Sequence, residues 1–252
     1  MEYFSTLMNV TQSEAMILAG IVFFAGIVRG FSGFALSALV MASAVLILPP
    51  VELIPICWVL ELAASVLMVR GGWKEADRPT AFGLVIGSAI GTPFGIALTL
   101  AVSAATSKTI ALIVIIALAL SQLFKVNSPM LATKPGLWIS GFVAGIVTGL
   151  ASVGGMVVAL YVMARQAPAK TMRATLVMFL FIGSITSLIT LLVSGVMDGQ
   201  SFVRGAILAT PTFAGVFLGK LLFHPNLEKY YRPFCLMLLV GLSVVSLARI
   251  AW

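Results

Sequence analysis

Apolar stretches at about 15–48, 52–69, 80–102, 109–124, 136–164, 174–195, 203–222 and 234–251 leave this chain little choice but to fold as membrane-crossing helices. Most have the roughly 20 residues that a helix needs to cross a hydrocarbon core of about 30 Å. Composition agrees. Charged residues are 9% of the 252 and hydrophobic residues 61%, whereas an ordinary globular domain is roughly 25% charged. So few ions cannot coat a soluble surface, and the expected fold is an all-α polytopic membrane protein.

Two stretches do not fit a simple span. As one helix, 15–48 would be about 51 Å long at 1.5 Å per residue. It is interrupted by Arg29-Gly30-Phe31-Ser32-Gly33, and 136–164 is interrupted in the same way at Gly149-Leu150-Ala151-Ser152-Val153-Gly154-Gly155. The two are copies. Residues 23–30 (FFAGIVRG) match 142–149 (FVAGIVTG) with six identities in eight positions at an offset of 119, which also carries Pro49 onto Pro168 and Ser65 onto Ser184. After a five-residue insertion, Gly91, Gly95 and Lys108 fall on Gly215, Gly219 and Arg232. The chain reads as a duplication. Its N-terminal repeat is 1–126, a linker follows at 127–134, and the C-terminal repeat is 135–252.

Charge decides how the second broken stretch runs; for 15–48 it is silent, because residues 1–14 hold no cation, and the repeat and the excess length decide instead. If 136–164 crosses the membrane once, the loop cations divide seven to seven. If it enters, turns at its break and leaves on the same side, eleven cations gather on one face, Lys220 and the ten in the loops 70–79, 125–135, 165–173 and 223–233, against Lys108, Arg204 and Arg249 on the other. The positive-inside rule selects the second arrangement and makes those loops cytoplasmic. Each repeat then holds one broken, re-entrant hairpin (15–48 or 136–164) and three transmembrane helices. An odd number of spans inserts the two repeats in opposite orientations, as in many secondary transporters. Glycine ladders at four-residue spacing, Gly83 to Gly95 and Gly141 to Gly149, suit close helix packing in lipid.

Broken helices expose backbone N–H and C=O groups, tolerated in a membrane only where buried in protein or lining a cavity. The start of each second hairpin leg offers free N–H groups and the positive end of a helix dipole, a setting for an anion. The candidate substrate-binding residues are therefore Arg29, Gly30, Phe31, Ser32 and Gly33 in one half, and Thr148, Gly149, Ser152, Gly154 and Gly155 in the other. The guanidinium fork of Arg29 matches carboxylates and tetrahedral oxyanions. Its obvious internal partner is Glu61, midway along 52–69. Either the two form a permanent ion pair, or an incoming anion competes with Glu61, or Glu61 takes a proton during transport. Phe34, Trp58 and Tyr161 are candidate pocket walls, although for each one alone packing or lipid contact is the more common role.

Other classes lose support. Cys57 and Cys235 lie in apolar runs and read as small buried hydrophobes, with no metal spacing. His224 reads as a turn residue. No Walker loop, nucleophile elbow or metal-ligand spacing is present, so neither an enzyme nor a cofactor is expected. The net charge of +7 has the distribution of membrane topology rather than of a nucleic-acid footprint. Residues 1–14 carry Glu2 and Glu14 but no Lys or Arg, so no cleavable signal peptide is expected there.

The duplicated F-x-A-G-I-V-x-G block, the Gly/Ser break after it and the proline about 20 residues on resemble the TauE/SafE (toluene-sulfonate uptake permease) family. So does Val69-Arg-Gly-Gly-Trp-Lys-Glu-Ala-Asp-Arg78 leading into a glycine ladder. The resemblance runs over nearly the whole chain and implies a secondary carrier in the bacterial inner membrane for sulfur-containing anions such as sulfite or sulfonates. One departure stands out: Phe31-Ser-Gly-Phe-Ala replaces the usual run of glycines in the first half, while the second keeps Ser152-Val-Gly-Gly. An anion channel and a non-transporting membrane subunit are the competing readings. A small anion and the lipid bilayer are the expected partners.

Overall fold

Short polar residues at the edges of the apolar stretches set where the helices begin. Thr11 and Glu14 form a reciprocal capping box, and the side chains of Asp77, Ser103, Thr133 and Asp198 each accept a backbone N–H of the following turn. These caps satisfy donors that the helix itself leaves open. Pro49 and Pro168 open equivalent helices in the two halves.

In this computed structural model, residues 7–124, 132–166, 168–222 and 228–251 are described. They form α1 (Gln12–Ser32), α2 (Leu36–Ala44), α3 (Pro50–Gly72), α4 (Arg78–Ala101), α5 (Ala104–Leu123), α6 (Lys134–Ala151), α7 (Gly154–Ala164), α8 (Ala169–Val193), α9 (Gly199–Leu221) and α10 (Glu228–Ala251). All but α2 and α7 contain a segment long and apolar enough to cross a membrane, eight in all. No strand occurs among the described residues. The protein is an all-α, multi-pass membrane protein. Most of the linker (125–131) and His224 lie outside the described residues, as do the side chains of Arg70, Lys229 and Arg232.

The two largest helix contacts both join the halves: α4 with α6 and α1 with α9. Each pair runs parallel. Gly83 faces Leu137, Gly87 faces Gly141 and Gly95 faces Gly149, while Gly215 faces Phe23 and Gly219 faces Ile27. These contacts repeat at the sequence offset, because Gly91 meets Phe142 and Ile146 as Gly215 meets Phe23 and Ile27. The approach is so close that a Cβ on Gly87 would lie 3.0 Å from the Gly141 backbone, and one on Gly26 would lie 2.7 Å from the Thr212 carbonyl. With no hydrophobic drive between helices in lipid, such backbone contact is what makes them associate.

Polar contacts identify the ends of the bundle. Arg165, just after α7, lies 3.4 Å from Asp77 and donates to Thr80 at 2.6 Å, while the Asp77 N–H donates to Thr175 of α8 at 3.0 Å. The starts of α4, α6 and α8 and the end of α7 therefore share one end, where Lys74, Arg78, Lys134, Lys170, Arg173 and Lys220 also gather. At the far end Arg204 of α9 pairs with Glu52 of α3 and donates to the Met8 carbonyl at 2.6 Å. Ser246 of α10 donates to the Ala42 carbonyl at 2.7 Å, which places the end of α2.

Candidate functional site

Each break is a left-handed residue that stops a helix. Gly33 (φ +80°) and Ser152 (φ +57°) stand 119 positions apart, and each closes its helix through its own N–H, to the Arg29 carbonyl at 2.9 Å and to the Thr148 carbonyl at 2.8 Å. The breaks are shorter and later than expected. Arg29, Gly30, Phe31 and Ser32 belong to the last turns of α1, and Gly149 to the last turn of α6. Only 33–35 and 152–153 are non-helical, because the hydrogen-bond ladder continues to the left-handed residue. The legs are also unequal: α1 and α6 have 21 and 18 residues, α2 and α7 only 9 and 11. Gly154 nevertheless begins α7 halfway back along α6, beside Ala144 and Thr148.

The first break is filled by charge. Arg29 is completely buried, with its three nitrogens committed: one to the Gly33 carbonyl, one to Ser65 Oγ at 3.1 Å, and Nε to Glu61 Oε2 at 3.2 Å. That last contact is a charge contact without the direction of a hydrogen bond, and neither Nε nor Oε2 has another partner. Glu61 Oε1 accepts from Ser37 Oγ at 2.9 Å and from the Ser37 N–H at 3.3 Å. Ser37 lies in the first turn of α2. A carboxylate thus occupies the N-terminus of that helix, as its dipole favours. Ser32 Oγ is held by the Val28 and Phe34 carbonyls.

The second break is neutral and open. At the offset of 119, Thr148 stands for Arg29 and Leu180 for Glu61. Thr148 donates to the Ala144 carbonyl. Beside it lies a cavity of about 50 Å³, bounded by Thr148, Ser152, Gly154 and Gly155 from this break. Ser88 and Thr92 of α4, Ser184 and Ser187 of α8, and Trp58 and Glu61 of α3 complete its polar wall. Trp58 donates to the Ser184 carbonyl at 2.7 Å, which fixes the indole. Lining residues of α3, α4 and α8 run from the middle of each helix toward the far end, away from the basic cluster. A smaller space of about 10 Å³, room for roughly one water, lies between the two helix starts. Phe34 and Ser37 border it on one side, Ser152 and Gly155 on the other, and Glu61 borders both spaces.

Seven expected site residues therefore line the two spaces without any contribution from the last turn of α1: Thr148, Ser152, Gly154, Gly155, Trp58 and Glu61 in the larger, with Phe34 added in the smaller. Arg29, Gly30, Phe31, Ser32, Gly33 and Gly149 border neither, and Tyr161 is buried in α7, also away from both. Ser37, Ser65, Ser88, Thr92, Ser184 and Ser187 were not singled out for a site by sequence. Ser65 and Ser184 carried a signal in their exact repetition, but hydroxyls at such spacing are also ordinary packing residues in membrane helices.

A helical bundle that spans the membrane and encloses a hydroxyl-lined chamber at mid-height, with an ion pair beside it, defines a multi-pass membrane protein built around an internal polar site. Residues 18–246 match the family described as Sulfite exporter TauE/SafE. The chain belongs to that family, which comprises membrane transporters of sulfite- and sulfonate-type anions and not enzymes. Neither a curated protein nor a solved structure matches it.

Proposed function

We propose that this protein is a secondary carrier that moves a small sulfur-containing anion, a sulfonate or sulfite-type oxyanion, by alternating access. The observation that carries the reading is the one-sided chamber: hydroxyls set among apolar side chains at mid-height, with the lining extending toward the far end, beneath a closed basic end. Closure there uses Arg165 with Asp77 and Thr80, and Arg173, which donates to the Gly30 carbonyl at 2.6 Å. By the positive-inside rule the basic end is cytoplasmic, so this is an outward-facing arrangement. Hydroxyls of Ser88, Ser152 and Ser187 would donate to the oxyanion, and Gly154 and Gly155 would let it approach the start of α7.

The two halves are read as inverted repeats, residues 1–126 and 135–252. Support comes from the exchange of partners, α1 with α9 and α4 with α6, and from the opposite ends at which α1–α2 and α6–α7 begin and return. Rocking one repeat against the other would break the basic-end contacts and open the chamber to the cytoplasm.

Counterflow tests the carrier reading. Proteoliposomes loaded with unlabelled methanesulfonate or sulfite should take up the labelled anion transiently and saturably. Large unitary currents without counterflow would make the protein a channel. Neither currents nor exchange, with folded protein, would leave a non-transporting subunit.

A further inference from the structure

Arg29, the cation beside the chamber, is barred from it. Arg29 lies behind Glu61 and borders neither space, whereas Glu61 borders both. Glu61 is also the acceptor for Ser37 at the start of α2. The ionised carboxylate thus holds the two groups best suited to a substrate anion, the guanidinium and the helix N-terminus. It also adds its own negative charge to the wall. With Glu61 ionised, the pair is neutral and the chamber offers an anion only hydroxyls. With Glu61 protonated, the Arg29 charge is unopposed in a low-dielectric setting, where its influence reaches furthest.

The other groups around Glu61 leave this balance to the pair alone. From α1 the facing charge is Arg29. From α2 the facing group is Ser37, from α7 it is Gly155 and Met156 beside the smaller space, and from α8 it is Leu180. On α3 itself the buried thiol of Cys57 is one turn away and Ser65 is one turn on. Among the described residues, no second carboxylate or histidine faces it.

We infer that Glu61 couples proton and anion binding: its carboxylate is a resident stand-in for the substrate, and protonation surrenders the seat. This deepens the carrier reading and rests on it. A proton from solvent entering at the far end forms an O–H bond at Oε2, the oxygen without a hydrogen bond, and Glu61 becomes neutral. The anion then enters beside Arg29. After the chamber opens at the other end, the anion leaves, the O–H bond breaks, its proton passes to solvent there, and the ion pair re-forms. One proton and one singly charged anion cross together, with no net charge moved.

Methanesulfonate is a suitable probe because its own charge does not change across the physiological range. Its Kd for the purified protein in detergent should rise with pH, by about tenfold per pH unit where one proton is taken up with each anion. Glu61→Gln should bind it with no such slope. In proteoliposomes an inward proton gradient should drive accumulation by the native protein, and collapsing the gradient should release it. A native Kd that is flat with pH, beside clear counterflow, overturns the coupling and leaves the carrier reading standing. A full pH slope in Glu61→Gln also overturns it. Absence of both binding and counterflow overturns both readings. The slope of the native protein needs no variant, so a poorly folding Glu61→Gln does not shield the inference.

Discussion

The two broken helices share a backbone and differ in what fills it. Both stop at a left-handed residue, both restart two or three residues later, and both are held by the same set of glycine contacts. Around the first, Arg29, Glu61, Ser37 and Ser65 form a closed charged cluster. Around the second, Thr148 and Leu180 take the places of the charges, and a cavity takes the space. Two similar breaks thus separate two tasks, charge at one and room at the other. The backbone symmetry sets the geometry, and single substitutions at equivalent positions decide the chemistry.

Making the first break resemble the second is the sharpest test of that contrast. Arg29→Thr should destabilise the protein by about 3–5 kcal/mol, the cost of a buried partner left unpaired. Glu61→Leu should behave similarly. The double variant should cost less than the sum of the two, by more than about 1 kcal/mol, as read in thermal or denaturant unfolding in detergent. Thr148→Ala, the matching change in the other half, should cost only about 1 kcal/mol, the worth of one hydrogen bond. Equal costs at Arg29 and Thr148 would dissolve the distinction.

The shared backbone can be tested in the opposite sense, for sameness. A side chain on Gly91 meets the Phe142 carbonyl, and one on Gly215 meets the Phe23 carbonyl. Gly91→Ala and Gly215→Ala should therefore destabilise alike, by about 1–3 kcal/mol, because backbones rather than side chains must move apart. Gly20→Ala should be tolerated, since nothing lies within 4 Å of the added methyl. The smallest effect is expected at the caps. Asp198→Ala should cost about 1 kcal/mol through loss of its bond to the Ser201 N–H at 2.7 Å. Asp77→Ala should cost more, since its carboxylate also faces Arg165 and accepts from the Thr80 hydroxyl. The Asp198 carboxyl is held below its usual range by hydrogen bonds from Ser201. Its contribution is present above that range and disappears as pH falls through the depressed value, so the cost of Asp198→Ala should vanish in acid.

Spans and their number were legible in sequence because a run of about 20 apolar residues has few alternatives. The pairing of the two breaks was legible because FFAGIVRG and FVAGIVTG precede them at the same offset. The breaks were harder to place. Glycine at 30 and 149 looks like a helix stop, yet in both cases it serves a helix crossing, and the stop falls at the next residue able to turn left-handed. For Arg29 the sequence left both an ion pair with Glu61 and a role toward substrate open, because an intramembrane cation invites either. Which way its side chain points depends on Ser65 and Glu61, one helix away, and no local pattern contains that. The chamber walls were invisible for a related reason: Ser88, Thr92, Ser184 and Ser187 become a site only when α4 and α8 are set beside the second break.

The exchange of partners between the halves also has consequences for biogenesis. Helix α1 leaves the ribosome first, but α9, the helix against which its glycines fit, is synthesised nearly two hundred residues later. Until then its small-residue face has only lipid or provisional neighbours, and Arg29 must wait for α3 to bring Glu61. The early intermediate is thus a membrane-inserted helix carrying an unneutralised cation. Expressing the first half alone would prolong that state, making it a natural substrate for membrane quality control, and neither half should accumulate without the other.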